Sequence, residues 1–416
     1  MELTTERSNR AYWTLVLAAA AILMITMGSR VTTGLFLSPL NTSTGLGVVK
    51  ISFALAIGQF VWGATQPLFG AFADKFGSAR VIVAGGILLA AGTALTPFMS
   101  SEWGLVLTLG ILTAAGAGAG SFSILIGAVA QRLPAERRPF AAGVVNAGGS
   151  VGQVVFAPLI QAIISAAGWI SAMITLAVAT LLTIPLAWPL TKNAPARAAG
   201  KPGAASTGVG AEIGLVAQVK LALRNPSYLY LHAGFFTCGF HVAFLTTHLP
   251  GEVALCGLSA SVSATSLALI GLFNIGGSLG AGALGSRYRM KSLLALMYAS
   301  RAAIILVYLL APKTAITFYL FAAALGVTWL ATVPPTAGLV GKLFGTRYMA
   351  TLFGLTLLSH QLGGFFGAWL GGVTVANTGN YNWMWYADIL LALFAAVINL
   401  PIREAKIAPR VQPLPA

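Results

Sequence analysis

Twelve long apolar segments recur along the chain, and they constrain its fold more than any other feature. Each is long enough to cross about 30 Å of hydrocarbon as a helix, which takes roughly 18 to 20 residues. The segments are residues 12–40, 48–71, 79–99, 104–131, 140–164, 167–190, 226–250, 259–284, 291–311, 314–341, 349–376 and 382–402. Charged residues make up only 8% of the sequence, against about 25% in soluble domains. The chain is therefore predicted to be an all-α membrane protein.

Lysine and arginine concentrate in alternate connections between these spans. The opposite loops hold only Lys50 and Lys313. Basic loops stay on the cytoplasmic side of a membrane, so we expect both chain termini to be cytoplasmic. The net charge of +15 is then mainly an orientation signal, with some attraction to anionic lipid head groups. Binding of nucleic acid is not expected, because the basic residues are scattered over many short loops.

The longest connection divides the spans into two sets of six. It covers residues 191–225, and we expect an N-terminal half at 1–190 and a C-terminal half at 226–416. Residues 192–210 are rich in Ala, Gly, Pro and Ser and are predicted to be a flexible cytoplasmic linker. Residues 212–223 are predicted to form a short amphipathic helix on the inner surface.

The loops after the second and eighth spans look like copies of each other. The first reads Gly70-Ala-Phe-Ala-Asp74-Lys75-Phe-Gly77-Ser-Ala-Arg80, and the second copy carries Ser286 and Arg287 at the Asp74 and Lys75 positions. The first copy resembles the signature loop of major facilitator superfamily transporters. That resemblance implies twelve helices in two pseudo-symmetric halves around a midplane site. It also implies a latch at the cytoplasmic face, made of Asp74, Lys75, Gly77, Arg80 and Arg287.

Three further stretches resemble the bacterial monocarboxylate and oxalate-type carriers of that superfamily. They are Gly28 to Pro39, Arg137 to Gly152, and His248 to Pro250. The resemblance implies secondary active transport of a small organic anion, a carboxylate, across a bacterial inner membrane. The chain departs from the pattern in the eighth span, which has no charge around Asn274, and in the eleventh, which has His360-Gln361 where oxalate-type carriers have a lysine. These departures leave a largely neutral aromatic vitamin or heterocycle open as the cargo.

Arg30 is the least expected residue of the first span, because it is a permanent cation inside an apolar stretch. Arginine stays protonated in proteins, and burial at membrane depth costs at least about 2.5 kcal/mol. Such residues normally face a bundle interior or a watery cavity and mark a substrate or ion path. Arg30 therefore favours an anionic cargo. A structural pair, or a guanidinium that reaches outward to the interface, is the alternative.

Two histidines within the spans are candidates for charge recognition. His360 and His241 lie near the middle of the eleventh and seventh spans. Histidine changes charge near neutral pH, so a protonated ring would bind a carboxylate and couple it to a proton. Gln361 points to a different side of its helix from His360, and we expect only one of the two to line the cavity. A neutral histidine bonded to a neighbouring helix is the alternative.

Amides and an aromatic residue complete the predicted substrate site. Asn274 and Asn146 lie in apolar spans, where an amide binds substrate or holds helices together. Trp329 precedes Pro334-Pro335, which remove backbone donors and predict a break in the tenth span. Broken helices in transporters line cavities, so Trp329 is predicted to form an aromatic wall, with ordinary packing as the alternative.

Arg301 and Asp388 form a further pair of intramembrane charges. Arg301 lies within the ninth span, and Asp388 is the only acid well inside an apolar span. Asp388 is a candidate partner for Arg301. In the fold that the chain resembles the ninth span is peripheral, which favours a structural role for Arg301.

The sequence holds no motif for catalysis. A P-loop, a nucleophile elbow, paired carboxylates and the cysteine spacing of metal sites are all absent. We therefore expect no enzyme activity, cofactor or metal, and transport driven by a substrate or ion gradient. The expected partners are a small-molecule substrate, membrane lipids and a coupling proton, with the protein acting as a monomer. Export is open as well as uptake, whereas a receptor role would require a signalling domain.

Overall fold

A computed structural model describes residues 2–130, 132, 138–191, 214–285, 287–345 and 349–405. Every regular element in this part of the chain is a helix. The predicted linker at 192–210, Ser286, and the side chains of Asp74 and Lys75 lie outside the described residues, so predictions about them stay predictions.

The α-helices are numbered in chain order, and most correspond to one predicted span or to part of one. They are Glu2–Val31 (α1), Leu37–Thr44 (α2), Val48–Phe76 (α3), Ser78–Leu95 (α4), Glu102–Leu105 (α5), Ala114–Ala119 (α6), Phe122–Ala130 (α7), Arg138–Leu181 (α8), Thr183–Leu186 (α9), Leu215–Leu223 (α10), Pro226–Leu255 (α11), Ala260–Gly285 (α12), Met290–Leu310 (α13), Ala315–Thr328 (α14), Val333–Phe344 (α15), Met349–Thr378 (α16) and Asn382–Asn399 (α17). The predicted amphipathic helix is present as α10.

Ten helical segments of the described chain are long and apolar enough to cross a membrane. One of them, Val144–Leu190, contains two spans, because Gly168 adopts a φ of +83° and breaks the helical geometry of α8. The 30-residue α16 is the remaining span, and its polar pair His360-Gln361 lowers its hydropathy. The predicted all-α fold of twelve membrane helices is therefore confirmed.

Two spans that carry candidate site residues are broken. The tenth ends at Thr328 and resumes at Val333, so the prolines occupy the first turn of α15, where a missing N–H is tolerated. The first span, predicted over 12–40, is present as Tyr12–Thr44, but it is not one continuous α-helix. Helix α1 ends one residue after Arg30, and a 3₁₀ turn at Thr33–Phe36 separates it from α2.

The break in the first span brings the two halves together. Gly34, within the 3₁₀ turn, approaches the backbone carbonyl of Thr246 on α11 so closely that any Cβ there would clash with it. Gly372 on α16 approaches Ser52 on α3 in the same way. Both contacts lie at the end of the bundle opposite the Lys- and Arg-rich connections. The two halves therefore meet tightly at that end.

Helices α3 and α16 separate towards the other end, which we call the basic end. A Cβ added to Gly63 on α3 would lie 2.5 Å from Cγ of Gln361 on α16. Gly70 and Gly354 lie seven residues further towards the basic end on the same two faces. A Cβ at either of them would meet no described atom within 4 Å. The bundle is thus closed at one end and parts towards the basic end.

Replacing Gly34 by alanine is expected to disfavour this closed end, because the added methyl group clashes with the Thr246 carbonyl. The readout is a Ser52→Cys reporter labelled by a membrane-impermeant maleimide, in a Cys256→Ser background. Ser52 is fully buried, so the parent should label slowly and Gly34→Ala several times faster. Gly354→Ala is the matched control and should label like the parent. Equal labelling of all three proteins would contradict this account of the closure.

Candidate functional site

Arg30 lies at the end of α1 and points towards the buried face of α3. Its Nη2 donates a 2.5 Å hydrogen bond to Oε1 of Gln59. Its Cζ sits 4.0 Å from the ring centroid of Trp62, which is only 6% exposed. The guanidinium thus has an amide and an indole as neighbours, and in the described residues no carboxylate forms an ion pair with it. The positive charge of Arg30 therefore has no anionic partner in the described residues.

Two more hydrogen-bond donors in this region have no partner among the described residues. They are the buried Nε1 of Trp62 and Nε2 of Gln66. The Oε1 atom of Gln66 accepts from Ser123 on α7 at 3.2 Å. A buried donor without a partner costs about 1–3 kcal/mol, which a bound acceptor would recover. The region of Arg30, Gln59, Trp62 and Gln66 is called the Arg30 cluster below.

Sequence reasoning missed three members of this cluster. Gln59, Trp62 and Gln66 follow one another at intervals of three and four residues on α3, which places them on one helix face. Polar residues recurring at this spacing inside an apolar span were the available signal.

The C-terminal half approaches the Arg30 cluster through Gln361. The Gln361 side chain lies against Gly63, which follows Trp62 in the sequence. A Cβ added to Gly364 would lie 3.5 Å from both Gln361 Oε1 and Gln59 Cβ, so the two glutamines are close together. His360 turns the other way, towards α11, where its ring centroid is 4.8 Å from that of Phe235. A 2.9 Å contact joins Gln361 Nε2 to His360 Nδ1. Gln361 therefore borders the interface between the halves, and His360 leads into the C-terminal half.

Asn274 on α12 connects the two halves to the break in the tenth span. Its Nδ2 donates to Ser150 of the N-terminal half at 3.2 Å. Its Oδ1 accepts the backbone N–H of Leu330 at 3.0 Å, within the break, and the hydroxyl of Ser278 at 3.2 Å. These contacts support the helix-holding role of Asn274. Asn146 is half-buried on α8.

Arg301 stabilises the broken end of α14. Its Nη2 donates to the carbonyl oxygens of Thr328 at 2.8 Å and Trp329 at 3.1 Å. Carbonyls at the end of a helix lack helical partners, and a cation there also interacts favourably with the helix dipole. The Nε and Nη1 atoms of Arg301 are buried and without partners in the described residues.

His241 and Asp388 form a fully buried pair beside this break. Nδ1 of His241 is hydrogen-bonded to Oδ2 of Asp388, and both side chains have no exposed surface. Asp388 thus binds His241, although the sequence suggested Arg301 as its partner. The positions of these residues in the sequence do not show which side chains of different helices come into contact. The indole of Trp329 closes over the pair, with its ring 5.7 Å from that of His241.

The outer end of the C-terminal half holds a second buried carboxylate with a compensating cation. Tyr308 donates to Oε1 of Glu252 at 2.6 Å, and Lys313 donates to the Tyr308 carbonyl at 2.5 Å. Partial burial lowers the pKa of Lys313, and the charge of Glu252 acts in the opposite direction. Glu252 therefore has a positive neighbour of its own.

The predicted latch residues lie at the basic end. Gly77 joins α3 to α4 with a φ of +92°, a backbone geometry that favours glycine. Arg80 and Arg287 are exposed, and their action as a latch stays a prediction. The structure adds Glu404, which the sequence reasoning missed because it lies beyond the last span. Glu404 pairs with Lys342 at 2.9 Å and accepts the backbone N–H of Lys291 at 2.9 Å, all within the C-terminal half.

Comparison with known proteins identifies the family. The model of the Major Facilitator Superfamily matches residues 18–368, so the chain belongs to that superfamily and is a membrane transporter of it.

Two relatives match nearly the whole chain. The Oxalate:formate antiporter of Oxalobacter formigenes is 25% identical over 373 residues, which cover 89% of this chain and 86% of the antiporter. Monocarboxylate transporter 13 of Rattus norvegicus is 25% identical over 396 residues, covering 94% and 89%. The predicted resemblance to the monocarboxylate and oxalate-type branch is confirmed.

A solved structure shares the fold. A bacterial homologue of the human lysosomal transporter Spinster, in an inward-facing and occupied conformation, gives a TM-score of 0.72 at 14% identity. The match covers 92% of this chain and 95% of that one.

Replacing Asn274 by alanine is expected to destabilise the protein by about 1–3 kcal/mol, because the Leu330 N–H would lose its acceptor inside the membrane. The measurement is thermal unfolding of the purified protein in detergent. Ser278→Ala removes one bond from the same amide but leaves the break satisfied, and it should unfold close to the parent. Unfolding of Asn274→Ala at the parent temperature would show that the amide is not needed there.

Proposed function

We propose that the protein carries a small organic anion, recognised by its carboxylate at the Arg30 cluster. The observation that carries this proposal is a set of buried and half-buried donors that form no ion pair with an acid in the part of the chain that the structure describes. Arg30 supplies the positive charge, and the Trp62 indole supplies an N–H without a partner. A carboxylate offers two oxygens in the geometry that a guanidinium binds best.

The relatives support the same class of cargo. They are named an oxalate:formate antiporter and a monocarboxylate transporter, and every solute in those names is a carboxylate. We infer that the fixed cation of the site is Arg30 and that Gln361 contributes an uncharged contact from the opposite half.

Alternating access follows from where the cluster lies. It sits beside the contact of Gly63 with Gln361, between the closed end of the bundle and the parting helices. Rocking of one half against the other would move Gln361 away from α3 and open the opposite side of the cluster. We propose that the basic end is cytoplasmic, as its lysines and arginines favour, and that the membrane is a bacterial inner membrane.

A neutral aromatic cargo has less support. It would be recognised by Trp329, Asn274 and Asn146, but Trp329 is 2% exposed and packs on His241. The amide of Asn274 already bonds three partners. Trp329 therefore has little accessible surface for a ligand, and the amide of Asn274 is already occupied by hydrogen bonds within the protein.

Arg30→Gln is expected to weaken carboxylate binding at least tenfold, because the neutral amide cannot balance the ligand charge. Binding is measured by thermal shift of the purified protein with formate and oxalate, since a ligand raises apparent stability by mass action. Uptake into liposomes should fall in parallel. Arg30→Lys keeps the charge without the planar fork and should retain part of the binding.

Arg224→Gln is the control for charge removal, because Arg224 is an exposed arginine at the basic end and is not part of the predicted latch. It should bind carboxylates like the parent. Full binding by Arg30→Gln, in a protein that inserts and unfolds normally, would refute the proposed site.

A further inference from the structure

Three charged side chains lie deep within the membrane spans that the structure describes: Arg30, Arg301 and Asp388. Glu252 is nearer the outer end and has Lys313 beside its Tyr308 partner. Two of the three deep side chains are positive and one is negative, so together they carry one net positive charge when His241 is neutral. Net charge in a low-dielectric interior is costly, so the loaded transporter favours a cargo that cancels it.

The charge of the cargo then decides whether a proton is needed. A monocarboxylate cancels the single positive charge by itself. A dicarboxylate dianion leaves one net negative charge, which one added proton would cancel. The interior must hold a group that can take up that proton.

His241 has the contacts that such a group requires. Its Nδ1 is bonded to the Asp388 carboxylate, which stabilises an imidazolium, and its Nε2 is buried without a partner in the described residues. The other histidines lack a carboxylate contact in this part of the chain. His360 bonds Gln361, His248 bonds the Ala368 carbonyl and Tyr381, and His232 bonds Ser359.

We propose that His241, held by Asp388, takes up one proton when the transporter binds a dicarboxylate and none when it binds a monocarboxylate. The proton comes from water and forms an N–H bond at Nε2, and Nδ1 keeps its hydrogen bond to Asp388. This inference rests on the proposed carboxylate site at Arg30.

Burial disfavours a charge on His241, which has no exposed surface, and the groups around it act on a proton in both directions. On its own helix, Cys238 lies one turn away, and its thiol is 3.4 Å from the Thr332 hydroxyl. From α13, Arg301 repels a proton on His241, and Tyr298 packs against Arg301 at 5.4 Å. From α17, Asp388 attracts the proton. The negative charge of a dianion adds to the attraction of Asp388.

The pair is also placed to affect transport. A proton on His241 would push against Arg301, which holds the Thr328 and Trp329 carbonyls at the break of the tenth span. A weaker hold on these carbonyls would let α14 and α15 move relative to each other. The proton would thereby act at the break of the tenth span, through Arg301.

The test counts protons taken up on binding. Purified protein in weakly buffered detergent solution at pH 7, with an indicator dye, is mixed with saturating formate or oxalate. We expect about one proton per bound oxalate and close to none per bound formate. In His241→Gln the oxalate uptake of protons should disappear while formate still binds. His232→Gln is the matched control and should keep the proton uptake.

A second measurement needs no variant. Oxalate affinity of the parent should fall by up to about tenfold per pH unit in the alkaline range, as linkage to one proton requires, while formate affinity should not change.

The outcomes separate the two proposals. Binding of neither ligand would overturn the Arg30 site and this inference together. Binding of both ligands with no proton uptake, with equal uptake for both, or with uptake that survives His241→Gln would overturn the inference alone. Binding of formate without oxalate would do so as well.

Discussion

The structure depends on one constraint: a charged or polar group inside the hydrocarbon must find its partners within the protein. Arg301 meets this constraint in part, because its Nη2 bonds the carbonyls released where α14 ends while its Nε and Nη1 have no partner in the described residues. Arg30 has one bond to Gln59 and the face of Trp62. The two cations thus differ in what they bond: Arg301 holds backbone carbonyls at a helix end, and Arg30 contacts side chains of α3.

The helix breaks place the two cations close to the contacts between the halves. Arg30 is the next-to-last residue of α1, three residues before the 3₁₀ turn whose Gly34 meets the opposite half. Arg301 holds the break of the tenth span, which Asn274 also bonds through Leu330 while reaching Ser150 in the other half. Both intramembrane arginines therefore lie beside short stretches of irregular backbone at which the halves meet.

Much of this arrangement could be predicted from the sequence, because membrane spans and prolines are local signals. The twelve spans, the break near Pro334 and the short helix α10 all follow from local composition. The break after Arg30 also has a local signal, because Pro39 cannot bond the carbonyl of Leu35 and its ring clashes with that carbonyl in a continuous α-helix, but the sequence analysis did not use it. The binding of Asp388 by His241, in contrast, depends on how α11 and α17 are packed, which helical periodicity does not specify.

The central claim is that the Arg30 cluster receives a carboxylate. An experimental structure of the protein bound to formate or oxalate tests it most directly. We expect the carboxylate oxygens within about 3 Å of the Arg30 guanidinium and of Nε1 of Trp62, with the donors of Trp62 and Gln66 no longer unpaired. A ligand bound elsewhere, with Arg30 still on Gln59 and the Trp62 N–H still without an acceptor, would contradict the claim.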